Sequence, residues 1–583
     1  MNHLPIFLSA QPDDYFFTWQ LELQLFNFHK MGISPGKIHV LIGYHPDRGL
    51  RHYFTELIER NKGKAVFFTY PDRRLKPKYA SSLRPHIIQQ HYAANPWLSD
   101  EPIFYHDSDI IFRKLPDLDR LLKDDTWYVS DTRAYLDSGY VKATSCQRTF
   151  SKMCALVGVE PEKVELNDDN CGGAQYILKG IDPFFWAKIE RDSESIYALL
   201  NETNLHKGDK FLQEGKRFSA YYGIQSWCAD MWAMFYNGLY FGKNIRLAKG
   251  MEFCWATDKI AEWEDKNILH YTGAVALKGK EFFRKSNFIH YPPYHDDCLK
   301  SISQQTASYP LVELIRDFNE QEEEKRIDLQ DVSFLIPVRI DSPSRLENLL
   351  INIRCLEKYF KTNILIIESD SASHVPLEDL PPSCDYLFVQ DDNPFLHRTR
   401  INNMLVRRAS TPLVALHDVD AIAPVSQITD TVEILRNHAA DLVSPYDGRF
   451  TSVDNLFKAL FGKILDPDLL VLNQNKLETT IDRSWGGSVF MLKRSFLRAG
   501  LDNEHFKSWG PDDQERIKRM KTLGYVVKRV PGPLFHLPHE RKENSYFSDT
   551  GTHIKYTEEY LHVCNLRSDA LRQYVSTWEW INK

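Results

Sequence analysis

At 583 residues the chain is too long for a single hydrophobic core, so at least two domains are expected. Hydrophobic residues at 43% and charged residues at 26% exclude a disordered chain, and a net charge of −7 argues against broad binding to nucleic acid, which needs a basic face. The nine cysteines are scattered without a Cys-x-x-Cys pair, so they read as reduced thiols rather than a disulfide frame or zinc site.

The opening Met1-Asn2-His3-Leu4-Pro5 lacks a basic region, and its apolar run is cut at Gln11-Pro12-Asp13-Asp14, so no signal peptide is expected. No apolar stretch approaches membrane-spanning length. A cytoplasmic location is expected, which leaves room for peripheral contact with a membrane. Ile6-Phe7-Leu8 predicts a first strand, an aromatic-rich helix follows from about Phe16, and Ile38-His39-Val40-Leu41-Ile42 predicts the next strand. A later apolar strand runs into His106-Asp107-Ser108-Asp109.

The composition shifts near residues 300–331, where Arg316 to Arg326 is charged and poor in branched apolar residues. That stretch predicts the exposed end of a helix and a linker. The expected organisation is a domain over 1–300, a helical, charged linker over 301–331 and a domain over 332–583 with a C-terminal helical extension. The second half opens on the buried-strand pattern Val332 to Val338, with further apolar runs at Asn363 to Ile367 and Pro412 to Leu416. Helical spacing lies between Ser344 and Phe360. This βαβ rhythm predicts an α/β fold, with a mainly parallel, Rossmann-like sheet in each half. The second half again runs a strand into an aspartate pair, His417-Asp418-Val419-Asp420.

In extended chain, residues i and i+2 point the same way, so Asp-x-Asp presents two carboxylates on one side. At the end of a buried strand they can seat a hard divalent cation that also holds a diphosphate, and open α/β sheets bind ligands beyond the carboxyl ends of their strands. A lone Asp-x-Asp is most often a solvated loop or a cap. Two copies, each after an apolar strand and each preceded by His, favour the metal reading. Trp509-Gly510-Pro511-Asp512-Asp513 adds clustered acids, which offer a carboxylate base for the acceptor proton, beside an indole that can wall a sugar site. The competing reading is a helix N-terminus, where acids favour the dipole. His536 and His539 then offer imidazoles to the metal, with Arg541 or Lys542 facing phosphate.

Arg398-Thr399-Arg400-Ile401-Asn402-Asn403, His417-Asp418-Val419-Asp420, Trp485-Gly486-Gly487-Ser488 and Trp509-Gly510-Pro511-Asp512-Asp513 occur in the order seen in β-1,4-galactosyltransferases and chondroitin-polymerase-type enzymes. Residues of about 332–545 therefore resemble that family. The resemblance implies a GT-A domain that transfers a sugar from a UDP-sugar with inversion. It places Pro337, Arg339 and Glu368 around the nucleotide with Arg398 and Asp418 alongside, Trp509 at the sugar and Asp513, beside Asp512, as base. Asp420 and His539 would hold Mn²⁺ (or Mg²⁺), with His536 where the galactosyltransferases carry a methionine. The family usually has Gly-Gly-Glu-Asp and Arg-x-Lys where this chain has Gly510-Pro511-Asp512-Asp513 and Arg398-Thr399-Arg400, so the identity of the sugar does not carry over.

Residues of about 4–295 are similar to hydroxyproline arabinosyltransferases and peptidyl-serine galactosyltransferases. The likeness is carried by Tyr15-Phe16-Phe17-Thr18-Trp19-Gln20, His29-Lys30-Met31-Gly32 and Ser82-Leu83-Arg84-Pro85-His86 ahead of Asp107-Ser108-Asp109. It implies a second GT-A domain in which Asp107, Asp109 and His270 bind metal. Gln11 and Arg84 would lie near the nucleotide and Lys278 near the diphosphate, with Asp230 as the leading acid. The competing reading of Asp230 is a buried hydrogen-bond anchor. The expected protein is thus a tandem, bifunctional, metal-dependent glycosyltransferase that takes nucleotide sugars and an oligosaccharide or glycoconjugate acceptor. The alternatives are one active C-terminal domain beside an acceptor-binding N-terminal one, a nucleotidyltransferase, and a non-enzymatic carbohydrate-binding protein. A nucleotidyltransferase needs a Gly-rich phosphate loop, and none follows Ile6-Phe7-Leu8.

Overall fold

Each half opens on a run of buried apolar residues, and a strand covered on both faces needs such a run. A computed structural model describes residues 4–216, 221–272, 280–542, 544, 546 and 549–581, with 323 and 324 by backbone alone. It divides into two compact units, Met1–Asn319 and Glu320–Lys583.

The described strands of the first unit are β1 (Ile6–Pro12), β2 (Ile38–Tyr44), β3 (Val66–Pro71), β4 (Ile103–Tyr105), β5 (Ile110–Phe112), β6 (Trp127–Asp131), β7 (Gly172–Leu178), β8 (Ile245–Leu247), β9 (Phe253–Trp255) and β10 (Ile268–His270). Seven of them form a sheet in the order β3-β2-β1-β4-β7-β6-β8. It is mainly parallel, with β7 antiparallel to both β4 and β6. Alternation along β1 divides the core. Phe7 packs with Leu21, Leu25 and Phe28 of the helix Thr18–Lys30, while Ile6 and Leu8 pack with Ile87, Ile88 and Tyr92 of the helix Leu83–Ala94. The first of these helices carries His29 and Lys30 in its last turn, where cations suit the dipole. It stops at Gly32, whose φ of 75° is strained for any other residue type.

A second, smaller sheet of order β5-β10-β9 sets the site. Strand β10 runs antiparallel to β5 with His270 opposite Ile110, the residue after Asp109. The charged stretch read as a helix end and linker forms the helix Tyr309–Glu324. Its inner face is not exposed: Leu311, Val312, Ile315 and Phe318 are buried with Trp19 and Leu23 in the core of the first unit. Those four positions follow helical spacing, which a reading by charge alone passes over.

One buried pair gives this unit an acid sensitivity. His39 Nδ1 and His91 Nε2 lie 3.0 Å apart, and Tyr70 Oη lies 2.8 Å from His91 Nδ1. Burial, helped by Lys37 at the first ring and by His39 at the second, pushes the two rings down to about 4 and about 3. Below pH 6.5 the unfolded chain therefore binds more protons than the folded unit, and stability is lost as pH falls from there toward those values. Between pH 7.5 and 5 the expected loss is roughly 2 kcal/mol per histidine. Hydrogen exchange of the β2 amides, corrected for its intrinsic pH dependence, should report this loss, and a His39→Leu/His91→Leu double variant should flatten it. Equal protection of β2 at both pH values would refute the assignment.

The second unit holds β11 (Ile327–Val338), β12 (Phe360–Asp370), β13 (Cys384–Gln390), β14 (Leu413–His417), β15 (Ala421–Ile422), β16 (Leu442–Ser444), β17 (Phe450–Ser452), β18 (Glu478–Ile481), β19 (Ser488–Leu492), β20 (Val527–Arg529) and β21 (Leu534–His536). Its large sheet runs β13-β12-β11-β14-β19-β16-β20, with β19 antiparallel to β14 and β16. Its other pairs are parallel. Strand order and strand directions are those of the first unit. The smaller sheet, β15-β21-β17-β18, sets His536 opposite Ala421, the residue after Asp420. C-terminal helices Thr550–Asn565 and Ser568–Ser576 contribute Val563, Leu571 and Val575 to the core that also holds Ile517 and Met520 of the helix Asp512–Thr522. They brace the segment that carries the clustered acids. A Cβ at Gly510 would come within 2.9 Å of the Tyr556 ring, so only glycine lets that brace close.

Candidate active sites

In the first unit the chain leaves β4 buried and turns through Asp107-Ser108-Asp109 into β5, and β10 brings His270 alongside. His270 Nε2 lies 3.3 Å from Asp109 Oδ1 and 3.6 Å from Asp107 Oδ2. One ligand atom from each of the three residues falls within 4.8 Å of the others. The ring stacks on Trp255 at 5.6 Å and meets Phe253 edge-on. Neither ring nitrogen of this buried histidine has a hydrogen-bond partner among the described residues. Two carboxylates and an unengaged imidazole are a donor set that suits Mn²⁺ or Mg²⁺. Burial alone would raise the Asp109 carboxyl, but Lys285, which bonds it, and His270 outweigh burial and hold it well below the usual range.

Arg84, in the first turn of the helix Leu83–Ala94, bridges two acids. It bonds Asp107 with one nitrogen and Asp230 Oδ2 with the other, at 2.5 Å for the latter. Asp230 is the second residue of the helix Ala229–Tyr240, buried, and Tyr79 Oη lies 2.7 Å from its other oxygen. Arg84, Asp107, Asp109, Asp230 and His270 thus form one group. Gln11 does not join it. Its amide donates to the Leu41 carbonyl at 2.6 Å, since its strand is covered on both faces and the side chain turns to the neighbouring strand. Lys278 lies outside the described residues.

The second unit repeats the arrangement around Asp420. His539 Nε2 lies 3.1 Å and His536 Nε2 3.5 Å from Asp420 Oδ2, and these three also fall within 4.8 Å of one another. His539 Nδ1 sits 2.7 Å from the Glu540 carbonyl oxygen and 3.1 Å from Arg345 Nη2, which fixes the ring with Nε2 toward the cluster. Burial pushes His536 down, yet Asp420 outweighs it and the imidazole is raised overall. Arg345 was not foreseen. It lies on the helix Pro343–Tyr359, 3.4 Å from Asp420 Oδ2 and 2.9 Å from Asp341. The Asp341/Arg345 spacing of four just after the first strand was the available signal.

Arg398 begins the helix Arg398–Arg408 and gathers three acids. It lies 3.3 Å from Asp418, 2.6 Å from Asp512 and 2.9 Å from Asp513. Burial pushes Asp418 and Asp512 up to about 6 despite Arg398. Burial would also raise Asp513, but Arg398 and Arg516, the latter at 2.8 Å, hold it at about 2. A cavity of about 540 Å³ opens over this group, walled by Pro337, Arg339 and a half-exposed Trp509 and reaching Asp418, Asp420 and Asp513. Arg339 is fixed by the Ser369 and Asn393 carbonyls at 2.7 and 2.6 Å.

Two expected residues stand off that cavity. Glu368 is fully buried and accepts from the His374 amide at 2.9 Å, from Ser373 Oγ at 3.1 Å and from Tyr386. It pins the loop after β12 instead of lining that cavity, because its end of the strand is covered on both faces. Asp512 is likewise buried; it anchors Arg398 from behind, while Asp513 faces the cavity. The histidines before each Asp-x-Asp are braces, not ligands. His417 lies 2.9 Å from Ser488 Oγ and 3.2 Å from Asn352 Oδ1, and burial keeps it and His106 neutral, at about 4.

The two groups correspond by position in the fold. Arg84 and Arg398 lie in the first turn of the helix that follows the third strand, Asp107 and Asp418 open the turn after the fourth, and His270 and His536 end the strand paired with the next. Asp230 and Asp513 are each the second residue of the helix before the outermost strand, β8 or β20. The smaller sheets differ in one respect: the parallel neighbour of the histidine strand is β9, the strand just before it in the first unit, but in the second it is β17, with β18, β19 and β20 between.

No family model matches the chain, and no curated protein matches it. Solved structures do. A mannosyltransferase from Pyrobaculum calidifontis, solved with GDP-Man and Mn²⁺, is 16% identical over 36% of this chain and 58% of its own, with a TM-score of 0.24. TarS residues 1–349 from S. aureus, with UDP-GlcNAc, are 10% identical over 42% and 70%, with a TM-score of 0.29. The catalytic domain of Drosophila β1,4-galactosyltransferase 7, with xylobiose, is 14% identical over 34% and 63%, with a TM-score of 0.22. The chain spans about three-fifths of the mannosyltransferase and of the galactosyltransferase.

Proposed function

We propose that the chain is a bifunctional glycosyltransferase with one metal-dependent centre in each unit, each transferring a sugar from a nucleotide sugar, UDP-linked in our reading, to a glycan or glycoconjugate. The observation that carries this reading is the repeated constellation: an Asp-x-Asp, a histidine from the facing strand, a bridging arginine and a helix-heading aspartate recur at equivalent positions of two like sheets. Asp107, Asp109 and His270 would hold one divalent cation, and Asp420, His536 and His539 the other. Bound there, a divalent cation would supply charge neutralisation for the departing diphosphate. Arg84 and Arg398 can turn a guanidinium to the same phosphates. In the second unit Asp513 takes the acceptor proton as the hydroxyl attacks, giving inversion, and Asp230 has the same task in the first. Trp509 offers an exposed indole face to a sugar. A first unit that only binds acceptor would have no use for His270 and Asp230 in that arrangement.

The test is nucleotide release from a panel of UDP-sugars by the full chain, with Mn²⁺ and then with excess EDTA. Release that depends on the cation is expected. If no donor is turned over with any divalent cation, the proposal fails.

A further inference from the structure

The first unit has an open cavity of about 760 Å³ that the constellation above does not use. It is lined by the end of β6 at Asp131 and Thr132, by Asp169, and by Glu252, Trp255 and Lys266. Its size is that of a site for a small molecule or short oligomer. Trp255 joins it to the metal group, because the indole that walls the cavity stacks on His270.

The charges of the lining are unevenly matched. Arg133 is engaged with Asp131 at 2.8 Å and Lys266 with Glu262 at 2.9 Å. Asp168 accepts from the Ser138 amide and hydroxyl, and Asp137 caps the helix Ser138–Thr144. Asp169 and Glu252 make no hydrogen bond or ion pair among the described residues, and although Asp169 lies in the field of Arg133, the lining keeps an excess of negative charge: Asp131, Asp137, Asp168, Asp169 and Glu252 against Arg133 and Lys266. A further group points to a ligand. Thr132 is 1% exposed, lines the cavity, and has a hydroxyl with no partner among the described residues. A buried hydroxyl without a partner costs free energy that a bound polar group can recover. An aromatic plane, an unsatisfied hydroxyl and acceptor-only carboxylates match a ligand rich in hydroxyl or ammonium donors and with an apolar ring face. Uronates, sulfates and phosphates meet repulsion there.

We propose that this cavity is the acceptor subsite of the first unit and takes a saccharide that carries no acidic group, neutral or amino-bearing. The proposal rests on the reading of that unit as a glycosyltransferase centre.

The test is calorimetric titration of the full chain, with UDP and Mn²⁺ present and Asp420→Ala in place to silence the second centre. The probes are chitotriose, its deacetylated glucosamine trimer and trigalacturonate. The glucosamine trimer and chitotriose should bind and trigalacturonate should not. The isosteric Asp169→Asn/Glu252→Gln variant should weaken the glucosamine trimer about tenfold and narrow the gap to trigalacturonate. Equal binding of all three probes, binding of none, or a gap that the double variant does not move would each overturn the proposal. The two readings fail separately. Absence of Mn²⁺-dependent UDP binding in this background strikes the glycosyltransferase reading of the first unit, whereas UDP binding without saccharide selectivity strikes the acceptor subsite alone.

Discussion

Asp513→Asn is expected to lower sugar transfer at the second centre by about 10²–10⁴-fold, the range a positioned proton acceptor contributes. Binding of UDP and Mn²⁺ should change by no more than about threefold, since asparagine keeps the shape and one acceptor for Arg398 and Arg516. The neighbouring acid sharpens the test. Asp512 is buried behind Arg398 with its carboxyl pushed to about 6, whereas Asp513 reaches the cavity and is held ionised at about 2. Both are mainly ionised at neutral pH, and only the second reaches the cavity. Asp512→Asn should therefore act through Arg398 and raise KM for the donor more than it lowers kcat. If Asp513→Asn retains transfer within about tenfold, the base lies elsewhere.

Asp109→Ala and Asp420→Ala are each expected to abolish one of two sugar additions and spare the other. The loss should be at least about 10³-fold, because a catalytic cation supplies several kcal/mol of charge stabilisation and each ~1.4 kcal/mol is a factor of ten. Product analysis with mixed donors reads this directly: one variant stalls the product after the first kind of sugar, the other after the second. Should Asp109→Ala keep every activity, the first unit is an acceptor-binding domain and the bifunctional reading falls.

Much of this was legible in the chain because it is local. An apolar run that ends in Asp107-Ser108-Asp109 or Asp418-Val419-Asp420 announces both strand and turn, and Trp509 to Asp513 announces a helix start with acids to spare. The architectural repeat of the halves was legible too, but the equivalence of Asp230 and Asp513 was not. Asp230 sits in Trp227-Cys228-Ala229-Asp230 and Asp513 in Trp509-Gly510-Pro511-Asp512-Asp513, and the shared tryptophan stands three residues before one acid and four before the other. Only strand order puts both at the head of the same helix. Gln11 and Glu368 went astray for a related reason. On a strand buried on both sides, polar residues near the strand end satisfy neighbouring backbone as readily as they meet ligand, and periodicity cannot tell the two apart. The excess of negative charge around Asp169 and Glu252 depends on which acids already have partners, which is a property of the folded chain.

Arg84 and Arg398 carry one more implication. Asp107 and Asp230, like Asp418, Asp512 and Asp513, are like charges crowded into partly dry space, and crowding of that kind ordinarily makes a protein dependent on an ion to hold itself together. Here the guanidinium groups are built-in counter-ions. The repulsion is offset before any ligand arrives, so the fold does not wait on the ion: chelation should silence both centres while the chain stays folded, with the melting temperature lowered only by what the ion's own binding contributed, and resupply of the ion should restore turnover without a refolding lag.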